Sequence, residues 1–292
     1  MSRKLYNMRF PGGKRKALTL SYDDGVRQDI RLTELLNRFS VKCTFNLNSG
    51  TLGRVWIAEA PGREPLDLSC VKPEEVAAVY AGHEVAGHGL WHSSLTDIGT
   101  PGAMLEIIDD RAALEKLAGT GVQSFAYPFG VHNEDVRTLL RLAGYRSART
   151  VVSTHAFGIP QDFLQWDATC HHNDERLMEL AKDFCEGGGE NRFALAPQLF
   201  YLWGHAYEFD IHHNWNVIED FLAYVAQFKE TVWFATNGEI VNYVEAYRAL
   251  RFSADSAAVT NPGALRLWMH LGTGQTIELP PGETVRIPQE AG

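Results

Sequence analysis

Short apolar runs of strand length alternate along most of the chain with stretches whose apolar residues recur at helical spacing. Residues 17–22 read as a strand. Ile30, Leu32, Leu35, Leu36 and Phe39 then carry the spacing of one helix face. Residues 43–47 predict a second strand, 72–80 a helix with Pro73 in its first turn, and 83–86 a third strand. A helix over 104–118, a strand over 124–126 and a helix over 134–143 follow, the last closed by Gly144. The final set is a strongly apolar strand at 198–203, a helix at 217–228, a strand at 232–235 and a helix at 238–250. Strand–helix alternation of this kind implies parallel strands joined by crossover helices, as in a (β/α) barrel or a doubly wound sheet.

The pattern changes after Phe252. Asn261-Pro262-Gly263 and Pro280-Pro281-Gly282 are turn signals. Short alternating runs at 265–269 and 284–287 suggest a few antiparallel strands. The division expected is a main domain over 1–250 and a small β extension over 251–292. About 40 residues make a poor independent core, so the extension is expected to pack on the main domain or on a partner subunit, the latter a route to a homo-oligomer.

Composition narrows the class without naming it. The chain has 292 residues, 45% of them hydrophobic and 22% charged, with a formal net charge of −9. That is an ordinary globular balance. The acidic surface argues against nucleic acid or an anionic membrane as the main partner. Residues 1–10 are basic but have no apolar segment behind them, and no stretch reaches the ~20 apolar residues of a membrane span. Cys43, Cys70, Cys170 and Cys185 are scattered, with no C-x-x-C pair. Reduced thiols and a cytoplasmic location are the expectation.

In parallel α/β folds, functional groups collect where strands end. Several titratable residues sit at such places: Asp23 and Asp24 after the first strand, His88 and His92 after the third, and His205 after the strand at 198–203. Adjacent carboxylates repel, and a divalent cation relieves that cost by ligating one and leaving the other as a base. The alternative for Asp23-Asp24 is a helix-capping loop pair. Two histidines four apart on a helical turn reach one metal, although H-x-x-x-H alone is equally a pair of surface or core histidines. Two histidines, one carboxylate and an open position suit catalytic zinc, and other first-row metals accept the same donors. His205 follows Gly204 and a buried strand, so it reads as a general acid or as a core histidine.

Together these motifs resemble the polysaccharide deacetylases, the NodB-homology group of carbohydrate esterases. Ser21-Tyr22-Asp23-Asp24-Gly25 is similar to their T-F-D-D-G motif and His88–His92 to their H-[ST]-x-x-H motif. Ala126-Tyr127-Pro128-Phe129-Gly130 resembles R-x-P-Y-G, and Leu202-Trp203-Gly204-His205 the late L-x-H motif. The resemblance runs in motif order over residues 18–249. It implies an α/β fold of the distorted (β/α) barrel type, commonly with seven strands. It also implies Asp24, His88 and His92 as ligands of a divalent metal, zinc first. Asp23 would be the general base, His205 the general acid, and the Phe129 backbone N–H an oxyanion donor.

The sequence departs from the family at three places. Ala126 stands where the family has its arginine, and Arg149 or Arg146 is the candidate to supply that charge. Gly89 replaces a serine or threonine. The acid-tuning Asp/Trp motif is represented loosely by Asp162 and Trp166, or by Trp166 and Asp167. Tyr127, Trp166 and Trp203, with Trp91 and Tyr207, are candidate faces for sugar rings, with core packing the plainer reading of each. The expected substrate is an N- or O-acetylated carbohydrate. The competing readings are a small-amide or cyclic-imide hydrolase on the same site, and an inactive carbohydrate-binding protein. The doublets His171-His172 and His212-His213, and the segment after His205 (Tyr207-Glu208-Phe209-Asp210), carry no assigned role.

Overall fold

The computed structural model describes residues 6–59, 64–187 and 195–288. The first five residues, and residues 289–292 of the expected extension, lie outside them. In chain order the first half runs β1 (Tyr6–Arg9), β2 (Lys16–Asp23), α1 (Gln28–Phe39), β3 (Thr44–Leu47), β4 (Ile57–Ala58), β5 (Leu66–Asp67), α2 (Val76–Val79), β6 (Glu84–Gly87), α3 (Gly99–Ala118), β7 (Ser124–Ala126) and α4 (Glu134–Leu142). It continues with β8 (Ser147–Ser153), β9 (Trp166–Ala168), β10 (Cys170–His171), α5 (Leu177–Glu186), β11 (Gln198–Gly204), α6 (Glu208–Ile211), α7 (Trp215–Val225), β12 (Val232–Phe234) and α8 (Asn237–Arg248). Strands β13 (Arg251–Phe252), β14 (Ala258–Thr260), β15 (Leu267–Leu271), β16 (Thr276–Leu279) and β17 (Thr284–Arg286) complete the described chain.

One parallel sheet organises the molecule, in the order β10-β11-β2-β3-β6-β7-β8-β9. Its two ends are consecutive in sequence. β9 pairs with β8 and β10 with β11, while Thr169 between them donates its N–H to Tyr201 and accepts from His155. The sheet therefore curls into a nearly closed barrel. With β9 and β10 counted as one interrupted strand, and β12 beside the first half of β2, the barrel has eight strands rather than seven. β3 pairs with the second half of β2, at Ser21–Asp23, so the extra strand fills a gap that β3 leaves open.

Alternation along β2 divides the interior from the outer layer. Leu18, Leu20 and Tyr22 join the apolar layer under the helices. Thr19, Ser21 and Asp23 belong to a buried polar network. Ser21 accepts from Asn46 at 2.7 Å, and Thr19 donates to Asn237 at 2.9 Å. The Glu84 carboxylate accepts from Thr44, Ser124 and the Gly238 N–H at 2.7–2.8 Å. The N-terminus of α8 supplies the last of these donors, a favourable place for a carboxylate. Burial raises the Glu84 pKa, and these hydrogen bonds oppose the rise. A satisfied polar interior of this kind is rigid, which suits a barrel that must hold its upper rim in place.

The extension does not stand apart. β15 pairs antiparallel with β1, from Tyr6↔Leu271 to Arg9↔Trp268, and with β16 on its other side. Leu267, Met269 and Leu271 are buried with Met8, Phe10, Ile240 and Val244. Full burial of such side chains contributes about 1.5–3 kcal/mol each. The Tyr243 hydroxyl of α8 donates to the Arg9 carbonyl and accepts from the Trp268 N–H, joining helix and sheet.

Candidate active site

The predicted residues meet at the rim where β2, β6 and β11 end. Asp24 and His92 have φ values of 80° and 58°, a strained backbone for non-glycine residues. In that conformation their side chains converge with His88. The Asp24 Oδ1 lies 3.7 Å from His88 Nε2 and 3.8 Å from His92 Nε2. The three ligand atoms lie within 4.8 Å of one another. His88 donates its Nδ1–H to the Ala126 carbonyl at 2.8 Å, which leaves the Nε2 lone pair facing Asp24. Burial lowers the pKa of His88, opposed by Asp23 and Asp24, so the ring stays neutral. A fixed tautomer, a neutral ring and a nitrogen–oxygen donor set fit a divalent cation.

A scaffold of acids and asparagines holds this loop. Asp110 of α3 accepts from the His88 N–H at 3.1 Å and from the Ser49 N–H and hydroxyl at 2.8 and 2.7 Å. One turn earlier, Glu106 accepts from the Trp91 N–H and the Ser93 hydroxyl. Asn48 donates to the His88 and Gly89 carbonyls at 2.6 and 2.7 Å. The glycine at 89 has a structural reason. Its φ is +78°, and a Cβ there would lie 3.2 Å from Glu106 Oε2. Backbone and carboxylate brace the loop in place of a serine or threonine hydroxyl.

Asp23 is 2% exposed. Asn46 donates to its Oδ1 at 2.8 Å and Arg149 to its Oδ2. Burial alone would raise its pKa; Arg149, His88 and His205 outweigh that and lower it. Its Oδ2 is 3.9 Å from both His88 Nε2 and His205 Nε2, so it sits between the ligand set and the candidate acid. Arg149 thus brings a positive charge to Asp23 from the strand position paired with Ala126. Its guanidinium lies 4.3 Å from the Trp203 ring centroid. Arg146 lies elsewhere, bonded to Asn242 and Glu245.

His205 is held by Glu208, a residue without a role in the sequence reading. Glu208, three residues on at the start of α6, places Oε1 3.0 Å from His205 Nδ1. Burial lowers the pKa of His205, but Glu208, Asp23 and Asp24 more than offset it and the net shift is upward. Glu208 itself is pushed well below the usual carboxylate range: burial opposes this, and His172, His205 and His171 overcome it. Its Oε2 is 2.9 Å from His172 Nε2, at a poor hydrogen-bond angle, and 3.2 Å from His171 Nε2. Burial lowers His171 to about 4. Gly204 matters here for space, since a Cβ on it would lie 2.0 Å from His172 Nδ1.

Other candidates fall outside the cleft. Tyr127 is buried and donates its hydroxyl to the Leu164 carbonyl. Trp166 is buried against Tyr201 and Phe163. Trp203 is buried, with Arg149 over its ring and the His171 and His205 rings edge-on to it. Asp162 caps a short turn by accepting from the Leu164 N–H, and Asp167 accepts from Thr150 at 2.5 Å. Neither carboxylate touches His205. Phe129, at φ 58°, is 62% exposed and sets its ring edge-on to His92 at 4.5 Å. The cavity beside Asp24 and His92 is walled instead by Trp56, Trp91 and Tyr207.

Comparison with known proteins agrees with this geometry. Residues 11–148 match the family model of polysaccharide deacetylases, a span that includes Asp23, Asp24, His88 and His92. Among curated proteins no sequence matches. Among solved structures, a putative polysaccharide deacetylase from Mycobacterium smegmatis is 18% identical with a TM-score of 0.58. The alignment covers 83% of this chain and 94% of that one. The Xyl-CE4 domain of a multidomain xylanase from the hindgut metagenome of Trinervitermes trinervoides is 16% identical over 79% of this chain and 92% of its own, with a TM-score of 0.47. No helix among the described residues is long and apolar enough to cross a membrane. With the motifs of β2, β6 and β11 brought to one rim of a parallel barrel, the chain has the deacetylase barrel fold, and its first half, residues 11–148, matches the polysaccharide deacetylase family.

Proposed function

We propose that the protein is a metal-dependent hydrolase that removes acetyl groups from an acetylated carbohydrate, acting on amide bonds and by extension on esters. The observation that carries this reading is the placement of Asp23 Oδ2, 3.9 Å from a metal-ligand nitrogen on one side and from His205 Nε2 on the other.

Asp24, His88 and His92 would hold the cation. When bound, a divalent metal lowers the pKa of a water molecule and polarises the acyl carbonyl. Asp23, kept ionised by Arg149 and Asn46, takes the proton of the attacking water at Oδ2. The Phe129 N–H, on a backbone turned into the left-handed region, offers a hydrogen bond to the developing oxyanion. His205 carries its proton on Nε2 toward the cleft because Glu208 occupies Nδ1. It delivers that proton to the departing amine or alcohol.

Acetate release from N-acetylated and O-acetylated sugars tests the reading directly. Release is expected from the protein loaded with zinc or cobalt and absent from the Asp23→Asn and His205→Ala variants. A fully metal-loaded protein inert toward every acetylated amide and ester sugar would overturn it and favour a carbohydrate-binding role.

A further inference from the structure

Beside the metal ligands lies a cavity of about 390 Å³, within the ~300–1,000 Å³ range of small-molecule sites. One wall is a ribbon that leaves the barrel after β3 and returns before α2. Its two limbs are hydrogen-bonded. Cys70 N–H donates to the Arg54 carbonyl at 2.9 Å and Leu68 N–H to the Trp56 carbonyl at 2.8 Å, while the Trp56 N–H donates to the Ser69 hydroxyl at 3.0 Å. Alternation along an extended limb puts residues two apart on one face. Arg54 and Trp56 share such a face, and the Arg54 guanidinium lies 4.8 Å from the Trp56 ring centroid. Both line the cavity together with Asp24 and His92.

Arg54 is exposed on its limb of the ribbon. Among the described residues no carboxylate lies within ion-pair distance of it. The nearby Arg27, by contrast, is paired with Glu75. The stack on Trp56 fixes the guanidinium plane and limits the entropy lost when it binds. Trp91, 60% exposed, lines the same cavity and packs over Gly50. A planar cation and aromatic faces in one small cavity make a receptor for a ring that carries an oxyanion. A guanidinium binds carboxylate and phosphate through paired hydrogen bonds.

We propose that Arg54 is a specificity-determining residue and that the substrate is an acetylated sugar bearing an anionic substituent, a carboxylate or a phosphate, seated in this cavity. The proposal rests on the deacetylase reading for the reaction, but its central claim concerns binding and is measured apart from turnover. Loss of one charge-assisted contact changes affinity by about tenfold or more.

The test is calorimetric titration of the metal-loaded protein carrying Asp23→Asn to prevent turnover, with and without Arg54→Gln. The probes are N-acetylglucosamine, N-acetylmuramic acid and N-acetylglucosamine 6-phosphate. The first is neutral; the others add a carboxylate or a phosphate. At least one anionic probe is expected to bind about tenfold more tightly than the neutral sugar, and Arg54→Gln is expected to erase that preference while leaving the neutral sugar's affinity unchanged. Which anion gains identifies the substituent. Arg54→Lys should restore part of the preference, because charge without the planar fork is a weaker receptor. Absence of any preference in the parent protein, or a preference that survives Arg54→Gln, overturns the proposal. Acetate release by the unmodified protein judges the deacetylase reading separately, so the two can fail independently.

Discussion

Arg149 and Asp23 stand 126 residues apart in the chain and form a buried ion pair at the rim of the barrel. The arginine lies on β8, next to the strand where the family carries its own. We infer that the charge absent at Ala126 is supplied from this neighbouring strand end. Removing one member of a buried pair costs about 3–5 kcal/mol, because the other is left unpaired. Arg149→Ala is expected to lower both stability and turnover, while Arg149→Lys keeps the charge and recovers much of the stability. Thermal unfolding and acetate-release rates for the two variants check this. If Arg149→Ala turns over like the parent, the substitution of one arginine by the other is wrong.

Glu208 sets the proton affinity of His205. Burial pulls that affinity down, and the Glu208 hydrogen bond with the two aspartates pushes it up past the ordinary histidine value. A general acid must be protonated, so activity falls as pH rises through its pKa. Glu208→Gln removes the negative charge and lowers the His205 pKa. The alkaline limb of the pH–kcat profile should move to lower pH, with the metal content unaltered. An unmoved alkaline limb would show that Glu208 only packs.

Metal stoichiometry distinguishes the two histidine clusters. Asp24, His88 and His92 place their ligand atoms 3.7–3.8 Å apart around Asp24 Oδ1, room for an ion. His171 and His172 approach Glu208 at 3.2 and 2.9 Å, the spacing of direct contact. One equivalent of zinc per chain is expected, with loss of acetate release on chelation and recovery on adding zinc back. His92→Ala should abolish tight binding, and His171→Ala should leave it intact. Two tight equivalents by elemental analysis would show that the second cluster, His171, His172 and Glu208, also holds an ion.

Asp110 is the keystone of the ligand loop, with three donors converging on it from residues 49 and 88. Asp110→Ala takes this acceptor from the Ser49 N–H and hydroxyl, while the His88 N–H keeps the Leu47 carbonyl; the expected cost is about 1–3 kcal/mol of stability. Supports of this kind also typically change metal affinity or activity by about 10–100-fold. Competition with a zinc chelator measures the second effect and chemical denaturation the first. Unchanged zinc affinity in the folded variant would confine Asp110 to a purely structural role.

How far the sequence alone reaches depends on the range of each interaction. The βα alternation, the aspartate pair and the two histidine motifs are local signals, and each was readable from neighbouring residues. The strand β8 was not, although it carries Arg149. Its inner half is buried while Val151 and Val152 are 41% and 52% exposed, so no single periodicity runs along it. The helix α5 is not legible either, because it lies just before a stretch rich in glycine. α3 begins at Gly99, five residues before the predicted start, because glycine and proline in its first turn read as loop.

The supporting residues were harder to see for another reason. Asp110 and Glu106 are acids on the buried side of α3, and a burial pattern that hides carboxylates resembles an ordinary polar face until their partners are known. Glu208 had a local signal: three residues after His205 on a helical turn is within contact range. Tyr127, Trp166 and Trp203 show the reverse error. Aromatic residues beside catalytic motifs suggest a sugar platform, but here they fill the barrel wall, and the ring-bearing ribbon comes from a loop with no motif at all.

The pairing of β1 with β15 bears on how the protein can be dissected. A boundary at residue 250, natural from composition, would take away the hydrogen-bonded neighbour of the first described strand and uncover Met8, Phe10 and the outer face of α8. A truncated barrel ending there should be sticky and hard to express. A chain nicked near that point should stay assembled, its two fragments copurifying through the sheet they share.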